Sequence, residues 1–136
     1  MSLIIREIDF SHNWNTRKRG GKETGKLDCR AFTTIRLEST KYKMGAVYRI
    51  RIIQKSGNKM LGYARIVAMH YFKLGTLDDF AYLDTGYSAV ETRQIINRMY
   101  ANVTDSTPMV CVLLKYLSDK EIEQMSKEGI MELKLS

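Results

Sequence analysis

Three features of this 136-residue chain predict an α+β fold built on a small, strongly curved sheet. Strand-type and helix-type segments come in blocks, strands first, then helices, then strands, without the regular alternation of a parallel α/β sheet. Residues 59–72 make a strand too long to stay flat, and Gly62 stands where a bend is needed. The length suits one domain, and no internal repeat is present.

Taken in order, residues 3–10 are apolar-rich, and their periodicity fits a strand or a short helix equally. Residues 11–28 are polar and punctuated by Arg17-Lys18-Arg19, Gly20-Gly21, Lys22, Gly25 and Lys26, and so read as a mobile basic loop, with Trp14 as its anchor on the core. Phe32–Leu37 is short and β-branched, a strand. Lys43-Met44-Gly45 marks a turn. Val47–Ile53 alternates, placing Tyr48, Ile50 and Ile52 on one face and Val47, Arg49, Arg51 and Ile53 on the other. Lys55-Ser56-Gly57-Asn58 predicts a hairpin into the long strand. Thr76 ahead of Leu77-Asp78-Asp79-Phe80 reads as a helix start, with its acids where the helix dipole favours them. Ser88-Ala89-Val90-Glu91 is a capping box, followed by Ile95, Ile96, Met99 and Tyr100 at helical spacing. Met109–Leu114 is continuously apolar after Pro108, the pattern of a strand buried on both faces. Ser118-Asp119-Lys120-Glu121 repeats the capping box, Gly129 is a stop, and Met131, Leu133 and Leu135 alternate as a final strand. A boundary follows at residue 25: residues 1–25 hold the first strand or helix and the basic loop, and residues 26–136 hold the folded domain.

Composition excludes several classes. A hydrophobic fraction of 44% supports a core and rules out general disorder. Met109–Leu114 falls far short of the roughly 20 residues that span a bilayer, and Arg6 and Glu7 interrupt the first apolar stretch. A soluble cytoplasmic protein with no membrane partner is expected. Cys29 and Cys111 fit neither a disulfide framework nor paired zinc ligands, and His12 and His70 are too few for a metal cluster, so no metal and no cofactor are expected. His70 reads as structural. No glycine-rich phosphate loop and no nucleophile elbow occurs.

The net charge of +7 is unevenly spread. Residues 36–73 carry nine Lys/Arg against Glu38 alone, whereas residues 74–136 carry six against ten acids. A half so basic is the electrostatic footprint of a polyanion partner, nucleic acid first among them. Its chemistry concentrates where Arg30, Arg36, Lys41, Lys43, Arg49 and Arg51 flank Tyr42, Tyr48, Thr33 and Thr34. Guanidinium forks fit phosphates, and aromatic rings stack on unpaired bases.

Ala31-Phe32-Thr33-Thr34-Ile35-Arg36-Leu37, followed by Tyr42-Lys43-Met44-Gly45-Ala46-Val47-Tyr48-Arg49-Ile50, resembles the opening of the ASCH domain family of PUA-like β-barrels. The similarity runs on through Gly62–Val67, Asp84-Thr85-Gly86-Tyr87-Ser88 and Val110–Leu114, covering residues 26–117. The resemblance implies a small curved PUA-like β-barrel with helices packed at its ends and a cleft facing the Thr-Ile-Arg strand. It further implies binding of RNA or a modified nucleoside: Arg30, Arg36, Lys41, Lys43, Arg49 and Arg51 as a basic lip, Thr34 and Asp84 as pocket lining, and the loop cations as a clamp.

Some members of the family are amidohydrolases that deacetylate acetylcytidine with a Thr nucleophile, a Lys base three residues earlier and a helical-region Glu. Thr34 matches the nucleophile. Ala31 stands where the Lys is expected, leaving Lys26 as the lysine able to fold back from the loop, and Asp84 replaces the Glu. Ala46 stands where the family has an Asp after the turn glycine. A third class is a protein-interaction module in which the acidic half docks a basic partner. The protein partner, if any, is not specified by the sequence.

Overall fold

The computed structural model describes residues 5–11, 25–85 and 87–128. Trp14, Arg17, Lys18, Arg19 and Lys22, and the strand expected at residues 131–135, lie outside the described residues. The architecture is α+β. One mixed sheet holds β1 (Arg6–Ser11), β2 (Ala31–Leu37), β3 (Val47–Ile53), β4 (Lys59–Lys73) and β5 (Pro108–Tyr116), in the spatial order β1-β3-β4-β5-β2. β1 runs parallel to β3, and the other three pairings are antiparallel.

The first segment, ambiguous by periodicity, is a strand. Ile8 and Phe10 point inward beside Ile50 and Ile52, their register partners, and all four are buried. β1 therefore shares one sheet and one core with residues beyond 25. Tyr48, Ile50 and Ile52 form the inner face of β3, as alternation predicts. On β5, Val110, Val112 and Leu114 are fully enclosed, while Cys111 and Leu113 on the opposite face are half-buried. Burial on both faces holds there only at Met109, which packs with Leu74 and Ile96 in a second, smaller core.

The sheet curls until its two edges face each other. Phe10 of β1 and Phe32 of β2 meet edge to face with centroids 5.9 Å apart, although these strands are first and last in the sheet. Two irregularities in pairing supply the curl, one opposite Ile50/Arg51 and one at Ile66/Ala68 of β4. Gly62 lies at the first, with φ +154° and the Tyr116 ring 3.4 Å from where a Cβ would stand, so a side chain is excluded both by backbone and by space. The result is a half-closed barrel with a seam between β1 and β2.

Helices α1 (Ala81–Thr85), α2 (Ala89–Met99) and α3 (Asp119–Lys127) complete the fold. Both capping boxes form, with Ser88 and Ser118 accepting from the backbone N–H of Glu91 and Glu121. The helix expected from Thr76 does not start there. Leu74–Thr76 is a 3-10 turn in which the Thr76 hydroxyl donates to the Lys73 carbonyl. Asp78 accepts from Phe80 N, and Asp79 accepts from Ala89 N at the entrance to α2. These acids stabilise a turn and the next helix, so α1 begins only at Ala81. The end of the expected mobile loop is likewise ordered: Gly25–Asp28 is a 3-10 turn that buries Lys26 and Leu27. Among the described residues, no helix is long and apolar enough to cross a membrane.

Candidate functional site

The seam opens into a cleft of about 80 Å³, lined by Phe10 of β1, Thr34 and Arg36 of β2, Asp84 of α1, and Ile96 and Tyr100 of the α2 region. Strand alternation on β2 sends Phe32, Thr34 and Arg36 toward the barrel interior. Thr34 is 4% exposed. Arg36 then crosses the seam: its Nε donates to Thr34 Oγ1 at 3.0 Å and its Nη2 to the Asp9 carbonyl at 2.8 Å. Its guanidinium lies 4.6 Å from the centroid of Phe10. A half-buried arginine on an inward strand position is thus satisfied by neutral oxygens and an aromatic face.

Asp84 comes from the opposite side. α1 lies along the edge of β2, and the carboxylate accepts two hydrogen bonds on Oδ1, from Lys26 Nζ at 2.9 Å and from Thr33 Oγ1 at 2.6 Å. Lys26 and Asp84 are 8% and 3% exposed and lie 58 positions apart. Burial pushes the Lys26 ammonium below its usual range, against the opposing pull of the Asp84 charge and hydrogen bond. Lys26 also stands 5.7 Å from the Phe10 ring centroid. Lys26, delivered from the 3-10 turn, thus meets Asp84, which shares a cleft with Thr34.

Asp84 is also a wall of a second, roomier cleft of about 270 Å³ on the outer face of the sheet, where Thr33, His70, Phe72, Phe80 and Cys111 gather. His70 stacks on Phe72 there at 6.1 Å. Burial, followed by the Asp84 charge, pushes the Cys111 thiol up to about 11.

The expected basic lip divides. Lys41 is half-buried, 5.8 Å from the Tyr42 ring. Burial and then the Arg36 charge hold its ammonium below the usual value. Tyr48 fixes this turn, accepting from Lys43 N and donating to the Lys41 carbonyl. Lys43 itself and Arg30 are exposed. Arg49 and Arg51 point to the outer face, where they meet Glu7 at 3.6 Å and Asp9 at 2.9 Å. Thr34, Arg36 and Asp84 are thus brought together in the cleft, with Lys26 held on Asp84, whereas Arg30, Lys41, Lys43, Arg49 and Arg51 are not part of it.

No family model and no curated protein matches this chain.

The chemistry of the cleft stands on its own residues. Among the described residues, no three His, Cys, Asp or Glu side chains gather into a metal-binding group. A hydroxyl, a guanidinium and a buried Lys–Asp pair supply donors, acceptors and a titratable nitrogen. Of the two hydroxyls that the sequence places beside the basic residues, Thr33 rather than Thr34 bonds Asp84. Three contributors escaped the sequence reading: the Asp9 carbonyl, a main-chain group with no residue signature, and the buried Thr85 and Thr92 hydroxyls, 3.0 Å apart, which line the floor.

Proposed function

We propose that the chain is an ASCH-type, PUA-like domain that acts in the cytoplasm and binds a nucleoside-containing ligand, free or as an unpaired residue of RNA, in the seam cleft. One observation carries this reading: Thr34, Arg36 and Asp84, separated along the chain, converge on one cleft. A base edge needs donors and acceptors in a plane beside an apolar wall. Arg36, Thr34 and Asp84 supply the first, and Phe10, Ile96 and Tyr100 the second. The test is calorimetric titration with ribonucleosides and short RNA. Binding is expected for the parent chain and about tenfold weaker in Thr34→Val, which removes one hydrogen-bonding group. Absence of binding, or equal binding in the variant, rejects the cleft as the site.

A second reading, hydrolysis of an acylated nucleoside such as acetylcytidine, is favoured by the contact of Lys26 Nζ with Asp84 at 2.9 Å beside Thr34. In this reading Thr34 Oγ attacks the amide carbonyl carbon and Lys26, deprotonated, takes its proton. The C–N bond then breaks as the amine leaves with that proton, and water hydrolyses the acyl-threonine ester. A lysine whose pKa is lowered by burial is suited to that proton transfer. Release of cytidine from acetylcytidine, abolished in both Thr34→Val and Lys26→Gln, would establish it; release that survives Thr34→Val would exclude it.

A further inference from the structure

The second cleft, on the outer face of the sheet, has no part in the readings above. Ile35 of β2, Cys111 of β5 and His70 of β4 are register partners, so they form one row across three neighbouring strands. Phe72 follows His70 by two positions and stacks on it, with the ring planes 19° apart. The segment that links β4 to α1 supplies the opposite wall with Leu77, Asp78 and Phe80. Asp78 Oδ1 accepts from Phe80 N and closes the turn there, leaving Phe80 76% exposed at the rim. The space enclosed is about 270 Å³. A cavity of roughly 150 Å³ takes up a benzene, so a single ring with a short chain fits.

The charge of this cleft runs against that of the chain. The sequence holds 22 Lys and Arg against 15 acids, yet among the described residues no lysine or arginine lines the cleft. With histidine neutral, its charged lining is Asp78 and Asp84 alone. Lys26 and the Thr33 hydroxyl answer Asp84 from within the protein. Asp78 is exposed and in no ion pair with a described residue, so the charge that a ligand meets at the mouth is negative. The faces of Phe72 and Phe80 carry the negative side of their ring quadrupoles and favour the same kind of guest.

We infer that the outer cleft is a second binding site, for a small organic cation: a primary ammonium carried on an apolar body of about one ring. This site does not depend on the nucleoside-binding reading of the seam. The ammonium lies at the mouth beside Asp78 and Phe80, and the apolar body covers Phe72 and Ile35. A neutral guest of the same shape gains only the burial of apolar surface. An anionic guest meets two carboxylates and no lysine or arginine of the described residues.

The experiment titrates the full chain, by NMR shifts at low salt, with three probes of one shape and different charge: 2-phenylethylammonium, 2-phenylethanol and 3-phenylpropionate. At about pH 8 a primary alkylammonium keeps its charge and histidine is neutral. The ammonium is expected to bind about tenfold tighter than the alcohol, and the carboxylate more weakly than either. Phe80→Ala and Asp78→Asn should each weaken the ammonium by about two- to fivefold. Asp78→Asn should also narrow the gap between ammonium and alcohol. Phe80 is an exposed side chain, and asparagine keeps the oxygen that accepts from Phe80 N, so both variants are expected to fold, with circular dichroism as the check. Equal affinity for the three probes, or preference for the carboxylate, would overturn the assignment of a cation. Ammonium binding that neither substitution changes would place the cation elsewhere and overturn the site. Absence of binding by all three probes would reject it outright.

Discussion

At the scale of single residues, Arg36 holds the barrel closed as well as lining the cleft. Its bond to the Asp9 carbonyl joins the first strand of the sheet to the last, across an edge that no ladder covers. Arg36→Met keeps the apolar stem and removes both hydrogen bonds, leaving a part-buried carbonyl short of a donor. Urea denaturation should register a loss of about 2–4 kcal/mol, from bonds made by a charged donor plus an unsatisfied acceptor. Cys111 offers a second measurement. Its folded pKa, pushed up to about 11 from 9.0, means that the folded protein keeps a proton the unfolded chain releases. The stability tied to that thiol is therefore complete below about pH 9 and lost as pH climbs toward 11. Iodoacetamide should alkylate Cys111 slowly in the native protein through pH 9, and Cys111→Ala should flatten the fall of Tm between pH 9 and 11. A Cys111 thiol that reacts in the native state as fast as in urea would contradict the assigned environment. Residue roles of this kind were only partly legible in advance. Arg36 stood out as an arginine on a β-branched strand, but its main-chain partner has no letter in the sequence. Lys26 met Asp84 only because a 3-10 turn folds back across 58 positions.

At the scale of elements, legibility followed locality. A capping box is written within four consecutive residues, and both Ser88 and Ser118 formed one. The hairpin turn at residues 55–58 and the bend at Gly62 were equally local. Thr76 misled because Asp78 and Asp79 bond to Phe80 N and Ala89 N instead of a helix beginning beside them, and Ala89 is ten residues downstream of Asp79. The two boxes also separate stability from function. α2 lines the seam through Ile95, Ile96 and Met99, whereas α3 has no buried residue. Ser88→Ala and Ser118→Ala should each cost about 0.5–2 kcal/mol of stability. Only Ser88→Ala should also weaken ligand binding in the cleft, by loosening the helix that forms its wall. Equal effects of both substitutions on affinity would mean that the cleft is not where the ligand sits.

At the scale of the whole molecule, the fold redistributes a charge that the linear sequence made look like one continuous basic surface. Residues 36–73 hold nine basic residues against one acid, yet β1 brings Glu7 and Asp9 alongside Arg49 and Arg51 by parallel pairing. That pairing joins residues about forty apart, so no local pattern announces it. Of the other seven cations, none in an ion pair with a described residue, Arg36 lines the seam cleft and Lys41 is half-buried against Tyr42, and these two are the sheltered contacts expected for a ligand there. The salt dependence of RNA binding measures the difference. Each neutralised phosphate of a single strand contributes a slope of about −0.7 to log K against log salt. Two contacts give about −1.4, whereas a surface using all nine cations would give about −6. A fluorescence anisotropy titration of a short single-stranded RNA over a range of salt concentrations should therefore return a shallow slope near −1.4, made steeper by about 0.7 for each cation of residues 17–22 that joins the contact. Arg51→Ala should leave that slope unchanged, because its charge is already answered by Asp9, and Lys41→Met should reduce it by about 0.7. A slope near −6 that falls with Arg51→Ala would show that the outer face binds the nucleic acid, and would move the interface from the seam to the β1–β3 surface.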